Sequence, residues 1–365
     1  MKAKAAIFMG ANKPFEVREF DVVNTPSGYG KSELIASGIC GTDLHFHNGK
    51  LNVNAPTIIG HEFVGKLIEL DEKEGQKYGL KKGDNVIADI AVPCGECILC
   101  KNGDDANCVN MQVTNGGSID VAPYLYGGYV EVNFTPLSNL IKIPEELDPT
   151  MVSIFACPGP TAMHAFALAE QAGVDFKKVN TAVVQGLGPV GTYAVMYLKS
   201  IGIKKVFAIT AGNNTQREEL AKKLGANEVF NLTRNSVEEI NHAIIKESKD
   251  NLGVDLVFEA SGAPAAVPQG MELLRNRGVY LVPGQYSNSG GITIQPQMIT
   301  FKALHIIGSS QYSVKDVKAY LEFLCNHKEL HECVKKLGNY YPISQVNKAF
   351  DDAKAGNNVK TILVK

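Results

Sequence analysis

Residues 183–191 read VVQGLGPVG. An apolar strand runs into Gly186, Gly188 and Gly191, and the chain continues as PVGTYAVMYLKSIG (189–202), an apolar helix. The G-x-G-x-x-G spacing alone is weak evidence; between a strand and a helix it marks a dinucleotide-binding turn. Gly186 permits the tight turn, Gly188 the close approach of a pyrophosphate, and Gly191 close packing of helix on sheet. Pro189 and Val190 complete the loop and open the helix, whose first N–H groups are free for phosphate oxygens.

Around this loop the chain alternates strand and helix. TAVVQ (181–185) precedes the glycine helix, KVFAIT (205–210) precedes TQREELAKKLGA, and NSVEEINHAIIKES precedes VDLVFEA (254–260). GVYLVPG (278–284) is a further buried-strand candidate. The alternation predicts an α/β fold with a doubly wound parallel sheet covered by helices on both faces. The first 150 or so residues differ: AAIFM, ELIASGI, EFVGKLIEL, DNVIAD and GGYVEVNF are short strands between Gly, Pro and Asn turns. After residue 300 come ALHIIGS, a helix VKDVKAYLEFLCNH and KTILVK, which fit either part on pattern alone.

A chain of 365 residues is too long for one ordinary core, which implies two domains. With 45% hydrophobic and 20% charged residues the composition is that of a globular protein. A net charge of −2 gives no general basic footprint, so nucleic acid is not an expected partner. No apolar run approaches the roughly 18 residues of a membrane span, and MKAKAAIFMGANKPF lacks a signal-peptide core. The expectation is a cytoplasmic protein, where clustered thiols bind metal more often than they form disulfides.

A dinucleotide site normally has an acidic residue about 20 positions past the glycines, at the end of the next strand, to hold the adenosine ribose. Here that strand runs into AGNNTQR, and Thr210, Ala211, Gly212, Asn213 and Asn214 supply no carboxylate. Small neutral residues with Arg217 nearby suit a 2′-phosphate, so NADP is favoured over NAD. The alternative makes Arg217 a solvated residue of a first helical turn.

Ligand-rich stretches cluster elsewhere. GICGTDLH (38–45) carries Cys40, GHEFVG (60–65) carries His61 and Glu62, and FACPGPTAMHAF (155–166) carries Cys157. Thiolate and imidazole suit zinc, although a lone cysteine is more often a core residue. CGECILCKNGDDANC (94–108) places Cys94, Cys97, Cys100 and Cys108, half of the eight cysteines, in one lobe. Four thiolates make a closed site with no position for a substrate; a disulfide pair is the alternative.

Over essentially its full length the chain resembles the zinc-containing medium-chain alcohol dehydrogenases. GHEFVG matches the start of their zinc signature, GICGTDLH their first ligand segment, the four-cysteine lobe their structural zinc loop, and VVQGLGPVG their cofactor loop. The resemblance implies a mainly-β GroES-like catalytic domain (1–151, completed by 301–365) and a Rossmann domain (152–300). It implies a catalytic zinc on Cys40, His61 and Cys157, with Glu62 as neighbouring or alternate carboxylate and Asp43 supporting the histidine. A structural zinc would sit on Cys94, Cys97, Cys100 and Cys108.

Three protein ligands leave a fourth position open for a substrate oxygen, where zinc acts as a Lewis acid. By family position Thr42 accepts the substrate proton and His45 is the surface-side base; the alternative for Thr42 is a helix cap. His47 and His164 read as packing or surface histidines, Cys325 and Cys333 as core thiols, and Ile90 as a candidate pocket residue. The pattern also departs from the family. Asp71 opens an insertion, DEKEGQKYG (71–79), that reads as a solvated turn. Gly41 stands where relatives often carry a basic residue, and the loop after the second sheet strand is about two residues longer than usual.

The implied reaction interconverts a primary or secondary alcohol and its aldehyde or ketone, with hydride passing to or from NAD(P). A polyol or sugar dehydrogenase is the nearest rival, disfavoured by Cys157 where its relatives often use Glu. A zinc-ribbon interaction module on a redox-dead scaffold is a remote one, disfavoured because Lys101 is answered by Glu96, Asp104 and Asp105. The expected partner is a small alcohol or carbonyl compound, and the family implies a homodimer or homotetramer.

Overall fold

The computed structural model describes residues 1–365. Two compact units form, Met1–Pro160 with Gln311–Lys365, and Thr161–Ser310. The chain leaves the first unit after residue 160 and re-enters it at 311, about ten residues beyond the bounds of 151 and 301 that the resemblance implies. Periodicity identifies a helix but not the core it packs on: Val152, Ile154 and Phe155 are fully buried in the first unit. No single helix is long and apolar enough to cross a membrane.

In Thr161–Ser310, six strands pair in parallel throughout. From edge to edge they are Glu228–Asn231, Lys205–Thr210, Thr181–Gln185, Val254–Glu259, Leu274–Val282 and His305–Gly308. In chain order this is 3-2-1-4-5-6, the doubly wound arrangement that leaves a ligand crevice beside the first strand. Thr181–Gln185 is buried at all five positions, as expected of a strand covered on both faces. Val183, Phe207, Ile209, Val257 and Tyr280 share one core, each such side chain contributing about 1.5–3 kcal/mol.

The other unit is built on a seven-stranded sheet. Tyr29–Gly38 lies at its centre, antiparallel to Glu62–Leu70, Val132–Pro136 and Lys360–Val364. The tail strand belongs here because Ile362 and Leu363 pair with Gly38 and Ser37. Phe8, Phe15, Phe63, Tyr129, Phe134 and Phe350 fill the core below.

Two expectations are corrected. Residues 71–79 do not form a solvated turn: Glu72–Lys77 is a helix, and Asp71 caps it by accepting the Glu74 N–H at 3.0 Å. An aspartate cap followed by acids in the first turn favours a helix even in a charged run. Cys325 and Cys333, on the helices Val314–Asn326 and His331–Lys335, are half-buried rather than core residues.

Candidate metal and cofactor sites

Cys40 follows the central strand and caps the Gly41–His47 helix. His61 immediately precedes the adjacent strand, which Glu62 opens, and Cys157 precedes the Pro158–Gln171 helix. One ligand atom from each of Cys40, His61, Glu62 and Cys157 lies within 4.8 Å of all the others. The two sulfurs are 3.9 Å apart. The Cys40 thiol is held well below its ordinary range by the hydrogen bond from Cys157, against burial and with help from His61. The thiolate is the ligand form of cysteine, and this donor set fits zinc.

Asp43 braces the histidine. Its Oδ2 accepts from the Tyr129 hydroxyl at 2.7 Å and the Cys40 N–H at 2.9 Å. Its Oδ1 faces His61 Nδ1 at 3.5 Å, leaving Nε2 to the cluster, the usual orientation of a ligand histidine backed by a carboxylate. Burial opposes charge on His61, but Asp43 and Cys40 outweigh it and raise the imidazole well above its ordinary value.

Behind Glu62 stands Lys360, the first residue of the tail strand. The two form an ion pair with side chains 0% and 1% exposed, and Lys360 Nζ also donates to the Ile39 carbonyl at 3.3 Å. Gly38 makes the room, since a Cβ there would strike both the Glu62 carboxylate and the Lys360 side chain. Burial raises the Glu62 carboxyl to about 7 against the pull of Lys360. Sequence reasoning missed Lys360 and Tyr129; the one local signal is a lysine leading the short strand KTILV, whose last three residues are apolar.

Thr42 is not the helix cap, a position Cys40 occupies; its Oγ1 lies 3.7 Å from Cys40 Sγ. His45, on the same helix, is half-buried, and burial followed by Lys50 lowers its imidazole. His47 packs on Phe15 and Phe350, with ring centroids 5.7 and 5.5 Å away. His164 is buried, and Ile90 is half-buried between Asn85–Ala88 and Ala91–Val92.

The four lobe cysteines also lie within 4.8 Å of one another, all as free thiols. Backbone N–H groups point at the sulfurs: Cys94 to Cys108 at 3.2 Å, Cys97 to Cys94 at 3.4 Å and Cys100 to Cys97 at 3.5 Å. The N–H of Cys100, then that of Val109, lowers the Cys97 thiol to about 6. Four thiols converging without a disulfide match a closed tetrahedral site.

In the glycine loop, Gly186 has φ +93°, and a Cβ there would come within 2.7 Å of Ser261 Cα. A Cβ at Gly191 would strike the Gly186 carbonyl, whereas one at Gly188 would meet nothing within 4 Å. That open space lies at the N-cap of Pro189–Ser200, with Pro189 in the first turn and Val190 beside it, and it is where a pyrophosphate has room. Thr210 ends the second strand and Asn214 caps the next helix by accepting the Arg217 N–H at 3.3 Å. Arg217 is half-buried rather than solvated, and burial depresses its guanidinium. The nearby acid, Glu218, is engaged by Asn231 at 2.7 Å and Arg234 at 2.6 Å.

Known proteins share both halves. A zinc-binding dehydrogenase family model matches residues 189–326, and an alcohol dehydrogenase GroES-like domain model matches 33–145. The chain belongs to the zinc-containing medium-chain alcohol dehydrogenases. An erythritol/L-threitol dehydrogenase from Mycolicibacterium smegmatis is 30% identical over 320 residues, 84% of this chain and 83% of its own. A 5-exo-hydroxycamphor dehydrogenase from Pseudomonas putida is 28% identical over 369 residues, 99% of this chain and 98% of its own. The crystal structure of an alcohol dehydrogenase from Thermotoga maritima superposes with a TM-score of 0.89 at 28% identity, covering 100% of this chain and 99% of that one. This dehydrogenase is therefore a zinc-dependent oxidoreductase that interconverts an alcohol and its aldehyde or ketone with a nicotinamide cofactor.

Proposed function

We propose that Cys40, His61 and Cys157 hold the catalytic zinc, with Glu62 at its flank, and that Cys94, Cys97, Cys100 and Cys108 hold a structural zinc. On this reading Met1–Pro160 with Gln311–Lys365 is the catalytic unit and Thr161–Ser310 the dinucleotide unit. The observation that carries it is the convergence of Cys40, His61, Glu62 and Cys157 within 4.8 Å from three separate segments. Zinc bound there supplies a Lewis acid for the substrate oxygen. Asp43 and Tyr129 orient His61, and Lys360 balances Glu62. Thr42 accepts the substrate proton beside Cys40, and His45 carries it outward. The lowered pKa of His45 keeps the imidazole neutral near pH 7, the form that accepts a proton.

Gly186, Gly188, Pro189, Val190 and Gly191 cradle the pyrophosphate, and Thr210 and Arg217 face the adenosine ribose. NADP is the favoured cofactor: no carboxylate stands at 210–214, and Glu218 is already engaged. The substrate is a small alcohol or carbonyl compound. A polyol is the second reading, supported by the likeness to the erythritol/L-threitol dehydrogenase and opposed by cysteine at 157. The protein is cytoplasmic, without nucleic-acid or membrane partners, and a homodimer or homotetramer. Support for self-association comes from the unpaired edge strand His305–Gly308, which carries the exposed Ile306.

Cys40→Ser tests the metal assignment. It is expected to abolish turnover and remove one zinc while NADP still binds. Turnover that survives the loss of that zinc refutes the assignment.

A further inference from the structure

The dinucleotide unit holds a carboxylate that none of these roles uses. Glu259 ends the Val254–Glu259 strand opposite Gln185, the residue before the glycine loop, and is fully buried. Burying a carboxylate is unfavourable unless donors surround it. All of its donors are local and all reach one oxygen: Oε1 accepts from Ser261 N at 2.7 Å, Ser261 Oγ at 2.5 Å and Gly262 N at 2.9 Å. Oε2 has no hydrogen-bond partner, and a Cβ on Gly284 would strike it. The backbone is tied down as well: Ala260 N donates to Gln185 O at 2.8 Å and Gly284 N to Glu259 O at 3.0 Å.

These bonds fold residues 260–262 back onto the glycine loop. Ser261 Cα and N form the wall against Gly186, close enough that a Cβ on Gly186 would come within 2.7 and 2.8 Å of them. Gly186, in its left-handed conformation, therefore leans on a turn whose shape depends on Glu259. We infer that Glu259 is a positioning residue for the dinucleotide: its carboxylate sets the Ser261–Gly262 turn, and the turn sets the loop that receives the pyrophosphate. The inference rests on reading Gly186–Gly191 as the cofactor loop. The side chain acts through one acceptor oxygen, Oε1, on which every donor converges. Glutamine retains that acceptor; alanine does not.

The test measures NADP and NAD dissociation constants by titration calorimetry on the zinc-loaded protein, with hydrogen exchange of the Ser261 and Gly262 amides and steady-state kinetics beside it. Glu259→Ala is expected to weaken binding by about tenfold or more, a difference near 1.4 kcal/mol. Exchange of the two amides quickens, and the effect falls on cofactor KM more than on kcat. Glu259→Gln is expected to stay within about threefold of wild type. Ser261→Ala, which removes one donor and spares the fold if Glu259→Ala does not, is expected to weaken binding by about two- to threefold. A lower Tm with unchanged dissociation constants shows a purely structural role and overturns the inference. So does a Glu259→Gln protein as weak as Glu259→Ala. Wild-type protein that binds neither nucleotide overturns the cofactor-loop reading itself.

Discussion

Replacing Lys360 by methionine removes the cation from an ion pair sealed from solvent on both sides. If Glu62 stayed charged, the loss would be about 3–5 kcal/mol. A carboxyl with no partner protonates instead, which limits the loss. Glu62 already titrates near 7 in the folded protein, above its ordinary 4.5, and without Lys360 it titrates higher still. For an acid whose folded pKa is raised, the penalty is absent below the unfolded pKa and grows as pH rises toward the folded one. Wild type and variant therefore carry the same Glu62 penalty below about pH 7 and diverge above it, by about 1.4 kcal/mol per pH unit. At pH 8.5 the difference is about 2 kcal/mol, while at pH 6 this contribution vanishes. Lys360 adds no slope across this range, because its own pKa is raised from 10.5. The assay is urea unfolding of metal-free protein at both pH values. Bound zinc adds a cation beside Glu62 and flattens the difference. Lys360→Met/Glu62→Gln lacks the titrating group and is expected to recover most of the loss at pH 8.5. Equal losses at pH 6 and 8.5, or a double variant no better than the single one, refute the reasoning.

Lys50→Met removes the cation that, after burial, lowers the His45 imidazole. The acidic inflection of the kcat profile for alcohol oxidation, set below 6.5 by His45, is expected to move up toward 6.5; no upward movement removes His45 from the proton path. Cys97→Ala is expected to lose one zinc and several degrees of Tm before it loses the chemistry, and full zinc content at wild-type Tm contradicts a structural site. Arg217→Ala is expected to lower kcat/KM for NADP by about tenfold while sparing NAD, as loss of a charge-assisted bond to a 2′-phosphate would; equal effects on both cofactors argue against that contact.

The parts legible in the sequence were those whose cause is local. VVQGLGPVG declares its turn because Gly186 needs a positive φ and Gly191 must touch the Gly186 carbonyl, and both demands fall within six residues. TAVVQ reads as a strand from its short apolar, β-branched run, and all five of its residues are buried. Cys40, His61 and Cys157 could be grouped only through the family resemblance, since no spacing rule links them. Lys360 was out of reach altogether: its place behind Glu62 follows from the tail strand pairing Ile362 with Gly38, and neither strand's own sequence names its partner more than 300 residues away. The helix at 72–77 was missed because its acids read as solvation, although Asp71 in front of them is a start signal.

Lys360 also sets an order of assembly. During synthesis Cys40, His61, Glu62 and Cys157 leave the ribosome while the residue that balances Glu62 is still some 200 codons away, about 10–40 s at ordinary elongation rates. Over that interval the dinucleotide unit can be made and folded, but the nascent catalytic unit holds a carboxylate with no cation behind it. Only when the Lys360–Val364 strand docks along Ser37 and Gly38 is the centre charge-balanced. On the proposed assignment the last strand thus serves as the latch on that site, and a nascent chain that stalls before residue 360 carries every proposed ligand without the cation that balances Glu62.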